Sequence, residues 1–236
     1  MIDSYVCVDI ETTGLSKDRD SIVEIGAVKV VKGKQTDVFE YLINPKRKMP
    51  CSAMMVTGIT DDMLKGKPDI GEVMPKFVEF CQGYPLLGHN VSFDYGFLKT
   101  NAARLKLDWS ANCMDTLKIA KKYLPELPSR KLEYLCEYFE ILDEHHHRAM
   151  NDARITISLY NILVKKFYQE GSSVFAPASV EVKVKKQESI TWKQKKFLND
   201  LLERQGIHPN FLLDEMTKSE ASYAIDMILS GRGNQL

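Results

Sequence analysis

The chain of 236 residues carries no surplus of charge, since 32 Lys and Arg stand against 32 Asp and Glu. That balance argues against holding nucleic acid by bulk electrostatics, while leaving room for a local patch. No apolar run approaches the roughly 18–20 residues needed to cross a bilayer, so no membrane association is expected. Met1-Ile2-Asp3 opens on an acid where a signal peptide would have a basic region, so none is expected. Cys7, Cys51, Cys81, Cys113 and Cys136 contain no C-x-x-C pair, which excludes a zinc ribbon and a thioredoxin-type site. Most of them sit among apolar neighbours and read as small core residues of a reduced, cytoplasmic protein. There is no internal repeat and no long low-complexity tract.

What is present is a globular profile: 44% hydrophobic, 27% charged and 9% aromatic residues. That is ample apolar mass for a core, and the length suits one large domain or one and a half. Residues 4–10, 22–31 and 36–43 read as three strands, with Gly33 turning between the second and third; their close spacing predicts an antiparallel meander. Helical spacing of apolar residues then appears near 70–82, 92–106, 114–124, 130–140 and 150–169, with short strands near 84–88 and 111–114. The expected fold is an α/β mixed sheet with flanking helices. Residues 171–189, with Gly, Ser, Pro and a lysine cluster, read as a linker. Thr191 caps an expected helix 192–205 that Gly206 ends, and Thr217 with Glu220 forms a capping box for a helix from about 217 to 230. Three parts follow: a domain over 1–170, a linker over 171–189 and a small helical module over 190–236.

Three segments carry chemistry. In Asp9-Ile10-Glu11, residues i and i+2 of a strand share a face, so two carboxylates converge. Oxygen-only ligands of this kind suit Mg²⁺ or Mn²⁺, although a D-x-E pair also occurs at ordinary solvated strand ends. In Gly88-His89-Asn90-Val91-Ser92-Phe93-Asp94, a strand ends near His89 and Ser92 or Asn90 can cap the next helix. Asp94 falls in that helix's first turn, where the macrodipole alone would favour an acid. In His147-Arg148-Ala149-Met150-Asn151-Asp152, a loop histidine again precedes a helix with an acid in its first turn. His145 and His146 read as polar surface residues.

The order Asp9, Glu11, Asp94, His147, Asp152, each at a strand end or helix start, resembles the DEDDh 3′–5′ exonucleases. The motifs DIETTGL (9–15), HNVSFD (89–94) and HRAMND (147–152) carry the resemblance over about residues 4–168. Ser21 to Ala27 looks like the family's second strand. Gly58-Ile59-Thr60 resembles its H-G-I-T segment with Thr57 in the histidine's place, and Asp115-Thr116 its acid-Thr pair, read here as structural. The resemblance implies a ribonuclease-H-like fold and hydrolysis of phosphodiesters from the 3′ end with two divalent metal ions, Mg²⁺ or Mn²⁺. Asp9 would bridge the two ions, Glu11 and Asp152 would complete the site of the attacking water, and Asp94 would support the second ion. His147 would take the proton from that water. Thr12, Thr13, Leu15, Asn90 and Phe93 would contact substrate, with core packing the competing role for Leu15 and Phe93, and capping for Asn90.

The family resemblance is to enzymes such as the proofreading epsilon subunit of bacterial DNA polymerase III. It implies single-stranded or frayed 3′ ends of DNA as substrate, and a polymerase or another replication or repair protein as partner. The alternatives are an RNA-trimming exoribonuclease of the same family and a catalytically silent nucleic-acid-binding module. The chain has no G-x-x-x-x-G-K-[ST] loop and no polymerase-sized remainder, so by itself it is neither a fused helicase nor a polymerase. In the C-terminal module, Trp192, Lys193, Lys195 and Lys196 put an aromatic beside basic residues, compatible with nucleic-acid contact or partner docking. Lys183, Lys185 and Lys186 could add phosphate affinity.

Overall fold

A computed structural model describes residues 2–142, 148–169, 171–184, 188–209, 212–231 and 233. Its strands are β1 (Tyr5–Thr12), β2 (Ile22–Val31), β3 (Lys34–Leu42), β4 (Leu86–Gly88) and β5 (Cys113–Asp115). They form one sheet in the order β3-β2-β1-β4-β5. β1, β2 and β3 are antiparallel neighbours, while β4 runs parallel to β1 and β5 parallel to β4. The meander and the mixed sheet expected from the sequence are therefore both present.

The helices are α1 (Cys51–Thr57), α2 (Asp61–Leu64), α3 (Ile70–Cys81), α4 (Val91–Arg104), α5 (Thr116–Tyr123), α6 (Leu132–Phe139), α7 (Ala149–Phe167), α8 (Trp192–Gln205) and α9 (Lys218–Leu229). Among the described residues none is long and apolar enough to cross a membrane.

Alternation along β1 divides the core in two. Val6, Val8 and Ile10 face one layer with Val73, Phe77 and Leu98 from α3 and α4. Tyr5 and Cys7 face the other, with Ala153, Ile157 and Tyr160 of α7 and Ile119 of α5. Asp9 and Glu11 continue the phase of Tyr5 and Cys7, so the strand delivers both acids to the α7 side. All five cysteines are free; Cys7, Cys81, Cys113 and Cys136 are buried and Cys51 is exposed.

The segment read as a linker packs on the sheet domain for part of its length. Phe175 is buried, Ala178 exchanges two backbone hydrogen bonds with Cys113, and Val180 and Val182 pack against the layer of Val6 and Val8. Beyond it, Leu198, Leu201, Leu202, Ala221, Ala224 and Ile228 give α8 and α9 an apolar core of their own. Both helices begin on capping boxes. Thr191 accepts from the Gln194 backbone N–H and Thr217 from that of Glu220, while Gly206 closes α8 in the left-handed region.

Candidate active site

The site opens where the ladder between β1 and β4 ends. β4 pairs only with Val6 and Cys7, so the carboxyl-terminal half of β1 has no strand on that side. The Ile10 backbone N–H donates instead to Asp94 Oδ1 at 3.1 Å. A carboxylate from α4 thereby reaches the sheet edge beside Asp9 and Glu11. Ligand crevices of α/β sheets lie at such carboxyl ends. From the other layer α7 brings Asp152, and one carboxylate oxygen from each of Asp9, Glu11 and Asp152 lies within 4.8 Å of the other two.

Crowding acids raises their proton affinity. Burial, then Asp94, Asp152 and Glu11, push the Asp9 carboxyl well above its ordinary range. Burial, with Asp152 and Glu24, lifts Glu11 to about 7, against the lowering field of Arg148. Burial lifts Asp94 to about 8, although backbone N–H bonds, including the one from Ile10, pull the other way. A set of hard oxygen donors whose negative charges oppose one another fits a divalent cation such as Mg²⁺ or Mn²⁺. Asp9, Glu11 and Asp152 are placed to hold one, with Asp94 against the same strand.

The N-terminus of α7 is held by a clamp that the sequence reading passed over. Glu24, fully buried on β2 opposite Glu11, accepts Nη2 of Arg148 at 2.6 Å and Nε at 3.1 Å. Its other oxygen accepts the Ala149 backbone N–H at 3.0 Å, satisfying an orphan donor of the helix start. Two residues along β2, a Cβ on Gly26 would lie 2.1 Å from the Met150 nitrogen, so glycine alone permits this approach of helix to strand. Strand and helix are thus pinned three residues from Asp152. Nothing local in the sequence marks Glu24, because its partners lie 124 and 125 residues away.

A cleft of about 700 Å³ runs from the acids past Asn90 and Phe93 to a wall formed by Leu117, Lys121 and residues 128–133. Lys121, Arg130 and Lys131 line that wall together with Glu133, and the Arg130 guanidinium donates to the Leu124 and Pro125 carbonyls. His89 braces it, with Nε2 2.8 Å from the Arg130 carbonyl oxygen and Nδ1 2.9 Å from Thr116 Oγ1. A carbonyl only accepts, so Nε2 carries the proton; in the neutral ring Nδ1 is an acceptor and shares the single proton of the Thr116 hydroxyl with the Gly88 carbonyl, 3.2 Å from Oγ1. Burial lowers the His89 pKa, in keeping with that neutral ring.

The expected contact residues divide. Leu15 is 88% exposed, which leaves core packing no part in its placement. Phe93 is half-buried; it lines the cleft and packs 5.0 Å from the Phe97 ring. Asn90 occupies the N-cap position of α4 in the left-handed region at φ 66°, and its side chain makes no cap bond. The capping expected of Asn90 or Ser92 is absent, because the Ser92 hydroxyl bonds Asn90 Oδ1 instead. Asn90 is fixed through its backbone N–H, which donates to Asp115 Oδ1 at 2.9 Å. Asp115 also caps α5 through the Leu117 N–H, the structural part expected of it.

Thr12 and Thr13 are buried. The Thr12 hydroxyl donates to the Gly14 carbonyl, and Thr13 Oγ1 accepts from Arg47 Nη2 at 2.8 Å and from the Ser21 N–H. Their side chains therefore shape the loop. Thr57 donates to the Ala53 carbonyl and accepts from the Ile59 N–H at the end of α1. His147, together with His145 and His146, lies outside the described residues.

Comparison with known proteins agrees with this arrangement. The exonuclease family RNase_T matches residues 6–160. The DNA polymerase III PolC-type of Caldanaerobacter subterraneus subsp. tengcongensis is 40% identical over 186 residues, which is 76% of this chain and 13% of that protein. The PolC-type polymerase of Clostridium perfringens is 40% identical over 168 residues, 71% of this chain and 12% of its own length. The chain thus spans only about an eighth of these relatives. Exonuclease X, solved in complex with 5′ overhanging duplex DNA, aligns at TM-score 0.58 and 26% identity over 72% of this chain and 97% of its own. E. coli exonuclease I, in complex with a dT13 oligonucleotide, shares the fold at TM-score 0.63 and 22% identity, covering 70% of this chain and 41% of that one. With its family match running from the first strand into the helix that carries Asp152, the chain belongs to the RNase_T exonuclease family.

Proposed function

We propose that this chain is a metal-dependent 3′–5′ exonuclease that releases nucleoside 5′-monophosphates from single-stranded or frayed 3′ ends of DNA, in proofreading or repair. The observation that carries the reading is the convergence of Asp9, Glu11 and Asp152 from β1 and α7 at an open strand end, with Asp94 alongside. The DNA bound in the exonuclease X and exonuclease I structures, and the polymerase relatives, support DNA as the substrate. The same relatives support a DNA polymerase as partner. Residues 1–170 would form the catalytic domain and 190–236 an accessory module, joined by 171–189.

In this reading Asp9, Glu11 and Asp152 would hold two divalent ions, Mg²⁺ or Mn²⁺, with Asp94 supporting the second. Such ions, when bound, lower the pKa of the attacking water and stabilise the charge on the attacking and leaving oxygens. The protein's part is orientation and proton handling. Asp94 holds the Ile10 N–H so that the acids of β1 keep their phase, and the Glu24 clamp fixes the register of Asp152. His147 would accept the proton of the attacking water, a role that suits histidine because a free imidazole titrates near pH 6.5. Lys121, Arg130 and Lys131 attract the phosphates of the strand, and Leu15 and Phe93 meet its bases through contacts that tolerate any sequence.

The test compares the parent with Asp9→Ala and His147→Ala on a 5′-labelled single strand with Mg²⁺. Asp9→Ala should abolish mononucleotide release while unfolding as cooperatively as the parent. His147→Ala should slow release about 10²–10⁴-fold and keep its Mn²⁺ binding. Undiminished hydrolysis in clean Asp9→Ala protein sinks the assignment, and an unchanged rate in His147→Ala removes it as the base.

A further inference from the structure

We propose that the first two turns of α8, with Lys183 ahead of them, form a second grip for single-stranded DNA outside the carboxylate site. The inference rests on the nuclease reading for its ligand, but on different residues. The chain as a whole is neutral, yet residues 183–197 hold six lysines (Lys183, Lys185, Lys186, Lys193, Lys195 and Lys196) against one acid, Glu188. The positive charge missing from the total is concentrated in this stretch.

The helix arranges its share of that charge around aromatic rings. At roughly 100° per residue, Trp192, Lys193, Lys196 and Phe197 fall within an arc of about 140°. Leu198, Leu201 and Leu202, which build the module's core, lie on the opposite side. Trp192 is 69% exposed and Phe197 46%, unusually high for rings on a helix that has an apolar core to join. The Lys196 ammonium lies 5.8 Å from the centre of the Trp192 ring. Lys195 falls on the flank of this arc and is drawn to Asp214. Asp200 and Glu203 occupy the same side in later turns, which confines the basic, aromatic surface to the first two turns of the helix.

Lys183 is tied to the loop beside the candidate active site. Residues 178–182 are held against the sheet domain as described above, and Lys17 Nζ donates to the Lys183 carbonyl at 2.8 Å. Lys17 lies two residues beyond Leu15, in the loop that leaves the strand of Asp9 and Glu11. A strand passing Leu15 on its way from the site therefore meets Lys183. Exposed rings set among ammonium groups match alternating bases and phosphates, which is how proteins hold single strands without sequence preference. An apolar protein surface would have to desolvate Lys193 and Lys196 to reach the same rings.

The test uses the full chain carrying Asp9→Ala, so that nothing is digested, and oligothymidylates of about 4 and about 30 nucleotides. Trp192→Ala combined with Phe197→Ala should weaken the long strand at least about fivefold, the lower end for loss of one stacked base. The short strand should bind as to the parent. Lys193→Glu with Lys196→Glu should lessen the slope of log affinity against log salt by about 1.4 for the long strand, two single-strand phosphates' worth. Trp192 fluorescence should be quenched by the long strand and not by the short one. Long-strand affinity and salt slope unchanged in both double variants would overturn the proposal, as would equal weakening of short and long strands. The nuclease reading fails separately, if the chain with Asp9 intact releases no nucleotide from either strand.

Discussion

Replacing Arg148 by Met should destabilise the protein by about 3 kcal/mol at pH 7.5, and by less as the pH falls. The substitution keeps the aliphatic stem and removes the guanidinium that forks onto Glu24. Removing one partner of a buried pair generally costs about 3–5 kcal/mol, because the other charge is left buried and uncompensated. Glu24 has no solvent exposure, whereas Arg148 keeps 39% of its side chain in water and the Ala149 N–H still reaches the carboxylate. Both facts favour the lower end of that range. For a chain of this size the loss corresponds to roughly 6–12 °C in Tm. In the variant, Glu11 loses the Arg148 charge that opposes its raised pKa and favours its neutral form more strongly, so the folded state binds a proton that the unfolded state releases. The deficit relative to the parent should therefore shrink from pH 7.5 to pH 5.5. Glu24→Gln should cost less, since the freed guanidinium can turn to water. Glu24→Leu with Arg148→Met should recover most of the loss. Urea unfolding of the four proteins at both pH values checks this. A variant within about 0.5 kcal/mol of the parent, or a deficit that grows on acidification, would refute the reasoning, as would a larger cost for Glu24→Gln.

Two further outcomes follow from the packing and the acids. With Glu11 lifted to about 7 and Asp94 to about 8, the metal-free fold binds protons that the unfolded chain has released. Its stability should be greatest near pH 4.5 and fall as the pH rises to about 8; Mn²⁺ should restore it mainly at the upper end, and a flat Tm–pH curve in EDTA would contradict this. Gly26→Ala drives a Cβ into the backbone of Ala149 and Met150, which no rotamer change relieves, so it should cost about 3 kcal/mol or more in urea unfolding. A loss under 1 kcal/mol would mean that α7 can shift away from β2.

Local signals were legible in the sequence and distant ones were not. Both helices of the C-terminal module appear within a residue of their expected bounds, because Thr191, Gly206, Thr217 and Glu220 act through hydrogen bonds a few residues away. The phase of β1 could be read for the same reason: alternation alone sends Asp9 and Glu11 to one face. The helices α1 and α2, of seven and four residues, are too short to show an apolar period and were missed. Asn90 misled because Asn is a favoured cap, while here it supplies the left-handed turn instead. Glu24 was passed over inside a strand of apolar residues, and only the tertiary fold brings Arg148 to it. The cationic wall of Lys121, Arg130 and Lys131 went unread because the cleft that unites them is formed by the loop braced on His89.

The acids of the site come from β1, α4 and α7, at positions 9, 94 and 152 of the chain. During synthesis the first of them leaves the ribosome long before the last, and the helix that carries Asp152 is seated by its apolar face against the sheet and by the contact of Arg148 and Ala149 with Glu24. A nascent or clipped chain that ends before α7 thus has most of its carboxylates and no enclosure to gather them. The cluster of acids is completed by the seating of one helix, the last of the sheet domain to be made.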